Sequence, residues 1–201
     1  MNFCKKILTA FFVLIMGIGV AFADGKQASA DLSFYLPSYT YITPTTSPVL
    51  TANITDKTGN MHSPMMTRFR VITNNDKEQT LYLKANVLTE NGYEEAMFSQ
   101  GGQVYIAFTN LRKPPKSQAL ANCKMGAMPN DSPGVVAYPV TSVTGAKNKF
   151  IPGKNKYELY IKNGTTDVTV NVGSNVLKNS FGGNDPRGFY QAVLSLTEAD
   201  I

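Results

Sequence analysis

His62 is the one histidine of this 201-residue chain, so it carries all the imidazole chemistry open to the protein. A lone histidine removes a His-rich zinc site and leaves His62 as the sole imidazole base. Its neighbours Met61, Ser63 and Pro64 read as an exposed loop. No nucleophile elbow accompanies it, so a Ser-His-carboxylate triad has no sequence context. Glu94 and Glu95 are adjacent. On a strand they point to opposite faces, and they read as two solvated loop acids rather than as the paired carboxylates of a hydrolase. Met61-His62-Ser63-Pro64-Met65-Met66 and Cys123-Lys124-Met125-Gly126-Ala127-Met128 combine thioether, thiol and imidazole, ligand types that suit Cu(I). The plainer reading is that these methionines fill core gaps or sit in loops. A blue-copper centre needs two histidines with its cysteine and is excluded. The sequence therefore predicts a non-enzymatic chain with no catalytic residue, metal or cofactor.

The N-terminus carries a different signal. Lys5 and Lys6 precede an apolar run from Ile7 to Val20, and Ala21-Phe22-Ala23 follows. Small residues there match what a signal peptidase reads, so residues 1–23 are predicted to be a removable export signal, with Ala28-Ser29-Ala30 as a second cut. The apolar run is short for a spanning helix. Removing Lys5 and Lys6 from the 19 basic residues leaves 17 against 14 acidic ones. The surplus is scattered. Arg112, Lys113 and Lys116 form one small cluster, and Lys147, Lys149, Lys154 and Lys156 another, both read as solvated loop charge. No basic stripe with interleaved aromatics is present, so nucleic acid is not an expected partner. Behind the signal only Cys123 remains, which leaves no intramolecular disulfide.

The rest of the chain must be held by its core, and the pattern of that core is period two. Leu81, Leu83, Ala85 and Val87 alternate with Tyr82, Lys84 and Asn86. Val168, Val170 and Val172 repeat the pattern, as do Tyr157, Leu159 and Ile161, and Tyr190, Ala192, Leu194 and Leu196. Residues 49–54, 67–73, 103–109 and 135–140 are further predicted strands. Asn74-Asn75-Asp76, Asn91-Gly92, Gly101-Gly102 and Gly182-Gly183-Asn184 punctuate them with turn residues. Asn163-Gly164 between two alternating runs predicts a hairpin. Lys113-Pro114-Pro115 through Pro133 reads as a long irregular connection. Short strands at this spacing predict an all-β chain, an antiparallel β-sandwich in one domain.

Three segments carry a resemblance: Thr67 to Asp76 leading into the strand at Leu81, the run Val168 to Val172, and the ending Gly188-Phe189-Tyr190-Gln191-Ala192-Val193-Leu194-Ser195-Leu196-Thr197. Together they resemble pilins of the colonisation-factor type, the alternative branch of chaperone–usher fimbriae. The resemblance implies that the sandwich is Ig-like, incomplete and strand-complemented, in a surface fibre (pilus, fimbria). It implies like subunits, a periplasmic assembly chaperone and an outer-membrane usher as partners, and a role in cell adhesion with a host-surface glycan as a further candidate partner.

In such pilins an N-terminal extension of the next subunit fills the gap. Residues 24–43 are the candidate extension, ahead of a domain spanning 44–201. Leu32, Phe34 and Leu36 alternate with Ser33 and Tyr35, the pattern that strand addition requires. Pro37 departs from it, because proline has no amide to give the ladder. The acceptor would be the last strand, through Tyr190, Ala192, Leu194 and Leu196, with an apolar floor open in a lone subunit. The competing reading makes 31–36 the first strand of the chain's own sheet. It belongs with a monomeric secreted or periplasmic domain that binds carbohydrate, through tyrosines such as Tyr35, Tyr39 and Tyr41, or copper.

Overall fold

Alternation along a strand puts every second side chain on one face, and burying that face against a second layer fixes the architecture. The computed structural model describes residues 33–46, 49–53, 59–127, 132–177 and 184–198. The predicted export signal, 1–23, and Leu32 lie outside them. The strands are β1 (Thr40–Pro44), β2 (Val49–Asn53), β3 (Met65–Thr73), β4 (Gln79–Thr89), β5 (Gly92–Glu95) and β6 (Met97–Gln100). They continue as β7 (Gln103–Asn110), β8 (Val135–Thr144), β9 (Lys147–Ile151), β10 (Lys156–Ile161), β11 (Gly164–Val172) and β12 (Phe189–Thr197). Helix α1 (Ser117–Lys124) and a 3-10 turn at Pro152–Lys154 complete the elements of the described residues.

The fold is all-β, antiparallel and sandwich-like, and the sheet is open. Its strand order is β1-β3-β11-β8-β7-β12-β4-β10-β9, with β2 added to β12, β5 to β4 and β6 to β7. Strand β8 joins the two layers. Its first half, Val135 to Pro139, pairs with β7, and Val140 to Thr144 pairs with β11. The register slips between Asn171 and Val172, where the strand bends from one layer to the other. At this corner the Gly173 amide donates to the Pro139 carbonyl at 2.8 Å. A Cβ on Gly173 would come within 2.9 Å of Thr141 Cγ2, so a larger residue at this corner would have to displace that side chain.

Two compact units divide the chain, residues 1–38 and 39–201. In the second, the inward stripes meet in one core: Leu81, Leu83, Ala85 and Val87 of β4, Leu159 and Ile161 of β10, Val168, Val170 and Val172 of β11, and Phe69 and Val71 of β3. Each fully buried Leu or Val contributes about 1.5–3 kcal/mol. Strands β7 and β8 differ. Ile106-Ala107-Phe108 and Val135-Val136-Ala137-Tyr138 are buried without a break, so both faces are covered. Helix α1 packs against β6, β7 and β8 with Ala119, Leu120 and Cys123 buried. The expected irregular connection between Lys113 and Pro133 thus contains a helix that continuous apolar strands require.

The hairpin expected at Asn163-Gly164 is not a hairpin. Strand β10 pairs with β4 and β9, while β11 pairs with β3 and β8. Both edges of each strand are taken, so the turn carries the chain from one layer to the other. True hairpins occur at Glu90-Asn91, between β4 and β5, and at Gly101-Gly102, between β6 and β7. Gly101 and Gly102 have φ of 58° and 79°, the positive values of a type I′ turn.

Two readings of charge also change. Lys156, expected in solvent, is 1% exposed, and its ammonium lies 3.8 Å from the centroid of the Tyr82 ring. Glu94 and Glu95 sit on β5 rather than in a loop. Glu94 Oε1 accepts from the Thr89 hydroxyl at 2.8 Å and from the Ser117 hydroxyl, tying β5 to the start of α1. Glu95 accepts from the Asn155 amide at 3.3 Å.

Candidate subunit-contact site

Strand β12 is the centre of this site. Tyr190 is near its start, and the Tyr190 hydroxyl donates to the Pro186 carbonyl four residues upstream at 2.9 Å. That bond has the form of the tyrosine corner, which Ig-type sandwiches place at the entry to their strand F. Asn110 supports the same corner from β7: its amide donates to the Pro186 carbonyl at 3.2 Å, and its carbonyl oxygen accepts from the Arg112 and Lys113 amides at 3.0 and 2.9 Å.

On one side β12 pairs with β4 over Val193 to Thr197 and with β7 at Tyr190 and Gln191. On the other it pairs with β2, from Phe189 against Asn53 to Val193 against Val49. Among the described residues that second ladder is followed as far as Val193, and Leu194 to Thr197 pair with β4. The four expected acceptor residues stand on the inner face of this strand. Tyr190, Ala192, Leu194 and Leu196 are 1%, 0%, 2% and 7% exposed. The apolar floor expected to be open in a lone subunit is therefore packed in this chain, because these side chains point into the core between the layers.

The expected donor segment divides. Residues 33–39 carry no helix or strand. Within them Phe34, Tyr35 and Leu36 are 85%, 87% and 62% exposed. Of the competing reading, in which 31–36 is the chain's own first strand, the described residues 33–36 show no pairing. The first strand among the described residues is β1, where Thr40 to Pro44 pair with Thr73 to Phe69 of β3. Residues 40–43 of the expected extension therefore belong to the sandwich, and the first described unit ends at Ser38. The β-branched stretch Thr40-Tyr41-Ile42-Thr43 was the available signal for this strand.

The chemistry-bearing residues stay dispersed. His62 is exposed before β3, and Met66 is 51% exposed. Cys123 is buried on α1 at 2% exposure. Burial, and then the nearby Asp185, push the Cys123 thiol up to about 12, which opposes the thiolate a copper ligand or nucleophile needs. Burial raises the Tyr190 hydroxyl in the same direction. In the unfolded chain the thiol ionises near 8.5. The folded chain then holds a proton that the unfolded chain has released. This contribution is fully present below pH about 8.5 and falls as pH rises toward 12, by up to about 1.4 kcal/mol per pH unit. Urea midpoints measured from pH 7.5 upward should fall steadily above about pH 8.5, and Cys123→Ala should flatten the fall. An unchanged slope in that variant would contradict the assignment.

Comparison with known protein families, with curated proteins and with solved structures found no match.

Proposed function

We propose that this chain is a structural subunit of a bacterial surface fibre, exported through the periplasm and joined to like subunits by strand donation. The observation that carries this reading is the edge of β12 away from β4, whose described partner β2 reaches as far as Val193. The strand bearing the tyrosine corner is the one beside which an Ig-type sandwich sets its closing strand. Here that side has β2 as far as Val193, and the described residues supply no neighbour to Leu194 through Thr197. The exposed run Ser33-Phe34-Tyr35-Leu36 supports the reading from the other partner, since it is unpaired and alternates as an added strand must. An assembly chaperone and an outer-membrane usher are the further partners in this reading. It requires no catalytic group, so His62→Ala should leave assembly unchanged.

The second reading is a monomeric secreted domain. The burial of Tyr190, Ala192, Leu194 and Leu196 in the single chain favours it, because an unfilled groove would expose them. Deleting residues 24–36 from the exported chain separates the two. Under strand donation, sedimentation velocity should show polymers of the intact chain, and monomers of the deleted chain that still unfold in one cooperative transition. An intact chain that stays monomeric as concentration rises, or a deleted chain that still polymerises, would favour the monomeric domain.

A further inference from the structure

The lysine cluster at 147–156 is divided by the fold, and one part of it lines a cleft. Lys147 and Tyr160 face each other in the β9–β10 ladder, with the ammonium 5.8 Å from the ring centroid. Lys162, Glu78, Thr166 and Gly145 complete a cleft of about 420 Å³ around that ring. This volume lies within the range of small-ligand sites. Tyr160 is half-buried, and Lys147, Lys162 and Glu78 are exposed. Among the described residues neither lysine forms an ion pair.

The wall of the cleft is fixed in advance. Gly145 has φ of 96°, and a Cβ there would overlap the Asp167 carbonyl oxygen, so this turn lies directly on β11. The Asn148 amide donates to the Val143 and Ala146 carbonyls at 2.9 and 3.0 Å, bracing the same turn. The Tyr160 hydroxyl donates to Glu158 at 3.2 Å, which sets the ring. A rigid turn lowers the ordering cost of binding.

We propose that this cleft binds an acidic saccharide. The Tyr160 ring offers an apolar face to the C–H face of a sugar ring. Among the described residues Lys147 and Lys162 have no carboxylate partner, Lys147 meeting only the Tyr160 ring at the edge of its reach, and both are placed to take a carboxylate or sulfate group. Glu78 accepts hydrogen bonds from hydroxyl groups. The inference requires export of the chain but not strand donation, so the two can fail separately.

The test is titration of the exported full-length chain with sialyllactose, a sulfated lactose and plain lactose, followed by protein-observed NMR. At least one acidic sugar should bind with a dissociation constant of about 1 mM or tighter, at least about tenfold tighter than lactose. Binding of sialyllactose alone identifies a carboxylate, of sulfated lactose alone a sulfate, and of both a site for either anion; each supports the proposal. Lys147→Ala with Lys162→Ala should weaken binding about tenfold or more and remove its salt dependence. Tyr160→Ala should abolish it, Tyr160→Phe should retain it, and Lys149→Ala should change nothing. If Tyr160→Ala fails to fold, the exposed Lys162→Ala alone carries the test. Equal binding of lactose and the acidic sugars, no binding of either acidic sugar, or binding indifferent to these variants overturns the proposal. Phe34→Asp, which blocks polymer growth under strand donation, should leave the affinity unchanged.

Discussion

Phe34→Asp should stop polymer growth while leaving the sandwich folded. In the lone chain Phe34 is 85% exposed, so aspartate there costs the fold almost nothing. In a donated strand the same side chain would enter the apolar layer beside β12. Burying a Phe or Leu contributes about 1.5–3 kcal/mol, and Leu32, Phe34 and Leu36 together would outweigh the entropy of ordering a short segment. Aspartate reverses the sign at the central position, because an unpaired buried carboxylate costs several kcal/mol. A loss of roughly 5 kcal/mol is between three and four orders of magnitude in the association constant. Sedimentation velocity should show monomer for Phe34→Asp at concentrations where the wild-type chain polymerises, and Phe34→Leu should polymerise. Measured at a concentration where all three are monomeric, their thermal midpoints should agree. Polymers of undiminished length from Phe34→Asp would remove the donor role of this segment.

The largest loss of stability is expected at Tyr138. Its side chain is fully buried, its ring meets Phe108 edge-on at 5.5 Å and 83°, and its hydroxyl donates to the Gly59 carbonyl. It sits on the half of β8 that pairs with β7, next to the corner that joins the layers. Tyr138→Ala should cost about 3–5 kcal/mol, lowering the thermal midpoint by roughly 6–20 °C for a domain of this size. Tyr138→Phe keeps the ring and loses the hydroxyl's bond to the Gly59 carbonyl, for about 0.5–1.5 kcal/mol. Urea unfolding of the two variants against wild type checks both values. A loss below about 1 kcal/mol for Tyr138→Ala would mean that the β8 corner is not held by this side chain.

Local alternation was enough to find the strands that bury one face. Leu81 to Val87, Val168 to Val172 and Tyr190 to Leu196 are strands where the period-two pattern put them, because a half-buried strand writes its environment into every second residue. What depends on partners far along the chain was not legible. The Asn163-Gly164 turn looks like a hairpin locally, but whether Tyr157–Ile161 and Val168–Val172 pair depends on β4, β9, β3 and β8, which take their edges first. Helix α1 has only Ala119, Leu120 and Cys123 as apolar anchors, and Pro114 and Pro115 precede it closely, so its own residues argue weakly for a helix. The unbroken runs at Ile106–Phe108 and Val135–Tyr138 were the better sign that something covers their second face. Lys156 reads as surface charge in any local window, and only the fold supplies Tyr82 beneath it. At the candidate site, the sequence offers both halves as patterns, Phe34 with Leu36 and Leu194 with Leu196, while the coverage of β12 by β2 is a long-range fact.

Residue-resolved amide hydrogen exchange, compared between the assembled wild-type chain and the monomeric Phe34→Asp chain, tests strand donation most directly. In the monomer the amides of residues 33–36 should exchange fast, as an unpaired segment does. In the assembly, residues 33–36 and Leu194 to Thr197, for which the described residues supply no second neighbour, should become protected together, because each would complete the other's ladder. Protection of β12 that is equal in monomer and assembly, or residues 33–36 that stay unprotected in the assembly, would contradict it.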